Sequence, residues 1–358
     1  MVNEDFLFTS GKLTYDSLHC LRNEYFHNSC TNCIDICPVD AFGIVGEKLR
    51  FVKECTSCGG CIGACPSEVL SLETFDENEF VIEFNQNESN LISCKSNVPC
   101  LGVFDSHHYI SMALRQEGKS IECDMSHCDE CEINKDGNIQ ANIQNKIDDA
   151  KTLLDELGLD EYTINELQET VENNSRRDLL KNVLKTKNKL ESGENTTQKL
   201  QFKNETRVPA KLTILKNSLK PIVAKIKNTN IESKVDIFAT RKIDFYKCTN
   251  CKDCAQFCPT SAIEALPSND GYIINAGVCI DCDICNDICK VDAISSSNEL
   301  DIVSILYDRA ESLVKYEMVI CHECKTAYPY KGGEPICDRC KEFTNDFSDM
   351  FTLAKDIK

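Results

Sequence analysis

The chain has 25 cysteines in 358 residues, and most of them fall into runs of fixed spacing. That spacing constrains the fold more than any other feature. Cys55, Cys58, Cys61 and Cys65 read C-x2-C-x2-C-x3-C-P with Pro66, and Cys248, Cys251, Cys254 and Cys258 read the same with Pro259. Cys279, Cys282, Cys285 and Cys289 repeat it with Lys290 in place of proline, and Cys30, Cys33 and Cys37 with Pro38 give a version lacking its leading cysteine. Two residues between cysteines let a short loop wrap a compact metal cluster, delivering successive thiolates to different metal atoms and turning backbone N–H groups toward sulfur. Structural zinc usually takes two separated C-x2-C pairs, and disulfide frameworks belong to small domains in oxidising compartments. Uninterrupted triplets followed by a fourth cysteine match neither, and point to iron–sulfur ligation.

The runs come in pairs, within residues 30–66 and 248–289. In this the chain resembles bacterial two-cluster ferredoxins, over about residues 18–75 and 240–297. The resemblance implies two ferredoxin-like modules, 18–75 and 241–297, and four [4Fe–4S] clusters, with the fourth cysteine of each run crossing to the neighbouring cluster. Cys65 then joins Cys30 and Cys33, Cys37 joins Cys55, Cys58 and Cys61, Cys289 joins Cys248, Cys251 and Cys254, and Cys258 joins Cys279, Cys282 and Cys285. The ligand missing from run one is open. His27 holds the place by spacing, whereas Cys20, ten residues before Cys30, resembles the distant upstream ligand of a subgroup of multi-cluster ferredoxins, and a three-iron cluster would need neither. An imidazole ligand would raise the cluster potential.

Between the modules the pattern changes. In 80–135, Phe80–Phe84, Leu91–Cys94 and Ser120–Cys123 read as strands and Tyr109–Gln116 as a helix, a βαβ arrangement carrying Cys94, Cys100, Cys123, Cys128 and Cys131. This unit is similar to the small [2Fe–2S] subunit of methanogen-type hydrogenase and heterodisulfide reductase assemblies, without that family's Gly-Cys-His run. One [2Fe–2S] cluster, a four-cysteine zinc site and plain thiols all remain open here. Residues 139–186 read as helical, since Ile139, Ile143, Ile147, Ala150, Leu154 and Leu157 recur at spacings of three and four. Thr163 with Glu166 reads as a capping box opening a second helix. Residues 187–240 read as a basic linker, because from Arg176 to Lys227 there are 14 Lys or Arg against four Asp or Glu.

In the second module Lys242–Phe245 reads as an approach strand, and Val39–Val45 with Leu49–Val52 reads as a cluster-covering hairpin in the first. Residues 300–345 read as a helix and a zinc-ribbon-like element, where Cys321, Cys324, Cys337 and Cys340 form two knuckles flanking Gly332 and Gly333. His322 inside the first knuckle reads as exposed. The fold class expected is α+β, with two or more domains at this length.

A net charge of -19 argues against a nucleic-acid partner. No apolar run approaches the ~20 residues that span a bilayer, and the chain opens on Met1-Val-Asn-Glu-Asp with no signal-like segment, so a cytoplasmic location is expected. No Gly-rich nucleotide fingerprint, P-loop or catalytic constellation separable from the cysteines appears. The leading expectation is a carrier of single electrons to or from a redox enzyme subunit of formate dehydrogenase or hydrogenase type. An accessory factor for assembly of such an enzyme and a cluster-based redox sensor are the alternatives.

Overall fold

The computed structural model describes residues 7–25, 28–84, 89–116, 118–168 and 207–347. His27 and the stretch expected to run on as helix and polar linker from 169 to 206 lie outside these residues.

The two paired-cysteine regions fold alike. In the first, strand Leu13–Asp16 pairs antiparallel with Leu70–Leu72, closing the region at its two ends, and the hairpin Phe42–Val45 with Lys48–Phe51 lies between the cysteine runs. In the second, Thr240–Ile243 pairs with Ile294–Ser297, and Ile263–Ala265 with Gly271–Ile274 forms the intervening hairpin, extended by Glu311–Lys315. Each run contributes one helical turn, at Asn32–Asp35, Gly60–Ala64, Asp253–Gln256 and Ile284–Asp287. Apolar residues fill what little core remains: Phe42 and Phe51 stack in the first module, and Tyr15 meets both edge-on.

The middle unit is a three-stranded parallel sheet, Leu91–Ser93, Ser120–Asp124 and Thr163–Leu167. Helices Ser106–Arg115 and Asn138–Glu156 pack beside it, with Ile139, Ile143, Ile147, Ala150 and Leu154 buried as the spacing anticipated. Two local readings fail here. Phe80 lies in a helix, Glu77–Glu83, because Asp76 caps it by accepting from the N–H groups of Asn78 and Glu79. Thr163 and Glu166 open no helix, because the segment pairs along the free edge of Ser120–Asp124 and its Ile164 is buried there.

Part of the stretch read as a basic linker is structural. Ala210–Leu219 is a helix burying Leu212, Ile214, Leu215 and Leu219, and with them Lys211 and Lys216. The sheets are small and the helices mostly single turns, an α+β arrangement in which mixed elements surround the cysteines. Among the described residues no helix is long and apolar enough to cross a membrane.

Candidate metal centres

The cysteines gather as sets that exchange members between runs. Cys20, Cys30, Cys33 and Cys65 line one cavity. Cys58 and Cys61 have Cys55 and Cys37 as charged neighbours. Cys248, Cys251, Cys254 and Cys289 line a second cavity, and Cys279, Cys282, Cys285 and Cys258 are mutual neighbours. Burial, followed by the neighbouring cysteines, raises most of these thiols; Cys254 is pushed up to about 12. Four thiolates packed away from water hold their charge only against a cation.

Their spacing tests which metal group fits. A tetrahedral ion with metal–sulfur bonds of about 2.3 Å sets sulfurs about 3.8 Å apart. Among the described residues, Cys321, Cys324, Cys337 and Cys340 form the one set whose ligand atoms all lie within 4.8 Å, with Sγ of Cys324 and Cys337 3.7 Å apart. That set suits a single ion, and His322 stays exposed beside it. The other sets stand wider, as a multi-iron core requires.

The loops explain how the thiolates are held. The residue three past the last cysteine of every run has positive φ: Asp40 at 50°, Glu68 at 50°, Ser261 at 54° and Asp292 at 48°. This left-handed turn is uncommon for non-glycine residues. It swings the next N–H back onto sulfur, so that Ala41 donates to Cys37 Sγ at 3.2 Å, Ala262 to Cys258 at 3.1 Å and Ala293 to Cys289 at 3.2 Å. The complete runs share a second signature, positive φ two and four residues after the first cysteine, at Ser57 and Gly59, Asn250 and Lys252, and Asp281 and Asp283. Run one lacks it, for Thr31 sits at φ -130°. Cys20 enters the same cavity from the start of the short helix Leu21–Glu24.

In the middle unit the structure brings four of five cysteines together. Cys94 has Cys131 for a neighbour, Cys128 has Cys94 and Cys131, and Cys100, pushed up to about 12 by burial, has Cys128 and Cys94. They lie in the loops after strands Leu91–Ser93 and Ser120–Asp124, the carboxyl edge where parallel sheets bind ligands. Cys123 stands apart within its strand, its charged neighbours being Glu166 and Lys151. Cys100 also has Cys58 of the first module beside it. Glycine makes that approach possible: a Cβ on Gly63 would stand 2.4 Å from the Phe104 carbonyl oxygen.

Buried charges surround the sets, and spacing alone did not reveal them. Lys211 donates to the Cys65 carbonyl at 2.8 Å and to Asp105 at 2.5 Å. Arg241 donates through Nε to Cys285 Sγ at 3.4 Å and pairs with Asp281 and Asp283. Arg241 sits in the strand just before a cysteine run, a position where a cation signals a nearby anionic core, whereas Lys211 reaches its set from a helix distant in sequence.

Residues 240–304 match the family described as a 4Fe-4S dicluster domain. A ferredoxin of Methanothermococcus thermolithotrophicus is 35% identical over 46 residues, 12% of this chain and 77% of that protein. This chain belongs to the ferredoxin family. Other ferredoxin relatives agree: ferredoxin-1 of Rhodobacter capsulatus is 48% identical over 42 residues, 12% of this chain and 62% of the relative. A ferredoxin of Rickettsia felis is 34% identical over 64 residues, 17% and 53%. The cofactor class of this ferredoxin is thereby the [4Fe–4S] cluster, and most of the chain lies beyond what these relatives span.

Proposed function

We propose that the protein is an electron carrier holding four [4Fe–4S] clusters, one further cluster in the middle unit and one structural zinc. The observation that carries the reading is the crossed seating of cysteines in both modules, each set completed by a residue from outside its own run. A cluster tied to both runs is the rigid core of its module, which suits a site that gains and loses charge with little rearrangement. The proposed ligands are Cys20, Cys30, Cys33 and Cys65; Cys37, Cys55, Cys58 and Cys61; Cys248, Cys251, Cys254 and Cys289; and Cys258, Cys279, Cys282 and Cys285. In the middle unit Cys94, Cys100, Cys128 and Cys131 would hold a [2Fe–2S] cluster, and Cys321, Cys324, Cys337 and Cys340 the zinc. The partner is a redox enzyme subunit of formate dehydrogenase or hydrogenase type, met by an acidic surface suited to basic patches.

Anaerobically purified protein should carry about sixteen irons in the ferredoxin sites, plus about two in the middle unit. Reductive titration should reveal low-potential signals, and Cys58→Ala should slow electron exchange with the partner while leaving that enzyme fully assembled. Normal exchange through Cys58→Ala removes the reading. A partner left without cofactor when this protein is deleted would favour an assembly role instead.

A further inference from the structure

The two modules touch at their clusters' own loops. Asn28 is buried to 3% exposure between them. Its Oδ1 accepts from the N–H of Cys30 at 3.1 Å, and its Nδ2 donates to the carbonyl of Cys282 at 2.9 Å and to Asp287 at 3.2 Å. Only one orientation of the amide satisfies an N–H on one side and two oxygens on the other. One planar group thus joins a cysteine of the first set to a cysteine of the fourth through two hydrogen bonds.

Other contacts hold the junction closed. The rings of Tyr25 and Phe257, the latter adjoining Cys258, lie with centroids 5.9 Å apart. The helix Ala210–Leu219 acts as a splint: Lys211 grips the Cys65 carbonyl, and five residues on Lys216 grips the Gly277 carbonyl at 2.7 Å, two residues before Cys279. Two buried lysines of one helix therefore fix the first set against the fourth. At the far side of the first module, Cys100 lies beside Cys58.

We infer that the chain is one continuous relay and not two independent ferredoxins, with Asn28 the positioning residue that sets the crossing between modules. Electrons pass one at a time, in the order middle unit, Cys37/Cys55/Cys58/Cys61 set, Cys20/Cys30/Cys33/Cys65 set, Cys258/Cys279/Cys282/Cys285 set, Cys248/Cys251/Cys254/Cys289 set. Each step oxidises one cluster by one electron and reduces the next, with no bond made or broken. This deepens the electron-carrier reading and rests on it. Both ends of the series are open to solvent, at Cys94 and at Cys251, which assigns electron entry and exit to those two faces.

The test uses the full, iron-loaded chain. Signals are first assigned to modules by the spectra that Cys58→Ala and Cys251→Ala each lose. A flash then delivers less than one electron per chain, and rapid-freeze electron paramagnetic resonance follows its redistribution. The parent should show a fast cross-module phase. Asn28→Ala should lose that phase while keeping its iron and the potentials of both modules. Asn28→Asp should lose it too, because its carboxylate faces Asp287 and the Cys282 carbonyl. Pairing it with Asp287→Asn, which returns a donor to the junction, should restore part of it. A fast phase that survives in Asn28→Ala overturns the inference. So does a parent whose modules both accept electrons yet never exchange them, and that measurement decides the matter should Asn28→Ala lose iron. Modules that accept no electrons at all would instead defeat the carrier reading.

Discussion

Replacing Lys211 by methionine keeps most of the side chain's volume and removes its charge, which makes it a clean probe of the ion network behind the first cluster set. In the parent, Lys211 is 5% exposed at its side chain and donates to Asp105, itself 9% exposed, and to the Cys65 carbonyl. Burial would favour a neutral Asp105, yet Lys211, then Lys146 and His107, hold it well below the usual carboxylate range. Removing one partner of a buried pair costs about 3–5 kcal/mol because the other charge is stranded. Lys146 remains 3.2 Å from Asp105 and is 27% exposed, so the lower end, about 3 kcal/mol, is expected. For a protein of this size that is a fall of roughly 4 °C in the apparent unfolding midpoint, read anaerobically from the visible cluster absorbance. Adding Asp105→Asn to Lys211→Met should recover most of the loss, since the amide put in place of the carboxylate keeps an oxygen to cap the Ser106 N–H. A single variant within about 0.5 kcal/mol of the parent, the ordinary range for surface changes, would refute the reasoning.

Three further outcomes are expected. Cys20→Ala should lose the first cluster or leave a three-iron form, seen as about one fewer iron and a new oxidised-state resonance; damage from His27→Ala with Cys20→Ala silent would reverse the ligand assignment. Burial, with Glu68 and Asp76 nearby, pushes Glu77 up to about 8. Its contribution to stability is complete below the ordinary carboxylate value of 4.5 and is lost as pH rises toward 8. Glu77→Gln should therefore gain on the parent by a few kcal/mol between about pH 5 and pH 8, and parallel midpoints across that range would count against it. Metal analysis should find about one zinc per chain, and Cys337→Ser should remove it while leaving the iron absorbance unchanged; loss of iron instead would assign that site to iron.

Much of the site was legible because cluster ligation is local: the spacing of Cys55 to Cys65 dictates a loop whatever surrounds it. The hairpin Phe42–Val45 with Lys48–Phe51 likewise follows from alternation near a turn. What escaped depends on distant partners. Thr163–Leu167 carries a helix-start signal but finds a free strand edge, and pairing outweighs the cap. Lys211 and Lys216 made their segment look like a solvated linker, although each lysine is buried against an acceptor from another region. Cys123 is like its four neighbours in composition, yet its place inside a strand keeps it from the loops where they meet. Asn28 carries no signal of its own, since its meaning lies 254 residues away at Cys282.

The strained turn after Cys65 reaches further than its own thiolate. Pro209, at the start of the helix Ala210–Leu219, has no side-chain acceptor to offer the first N–H groups. Glu68 supplies both oxygens, accepting from Ala210 at 2.5 Å and from Lys211 at 3.1 Å. A helix start without such a cap is weaker by about 1 kcal/mol. The helix is thus begun by a residue 142 positions earlier, and that residue reaches it only when the Cys65 loop has taken its left-handed turn. The first module's metal loop and the splint are energetically coupled as a result: whatever loosens the turn after Cys65 weakens the start of the helix and, through Lys216, the seat of the second module.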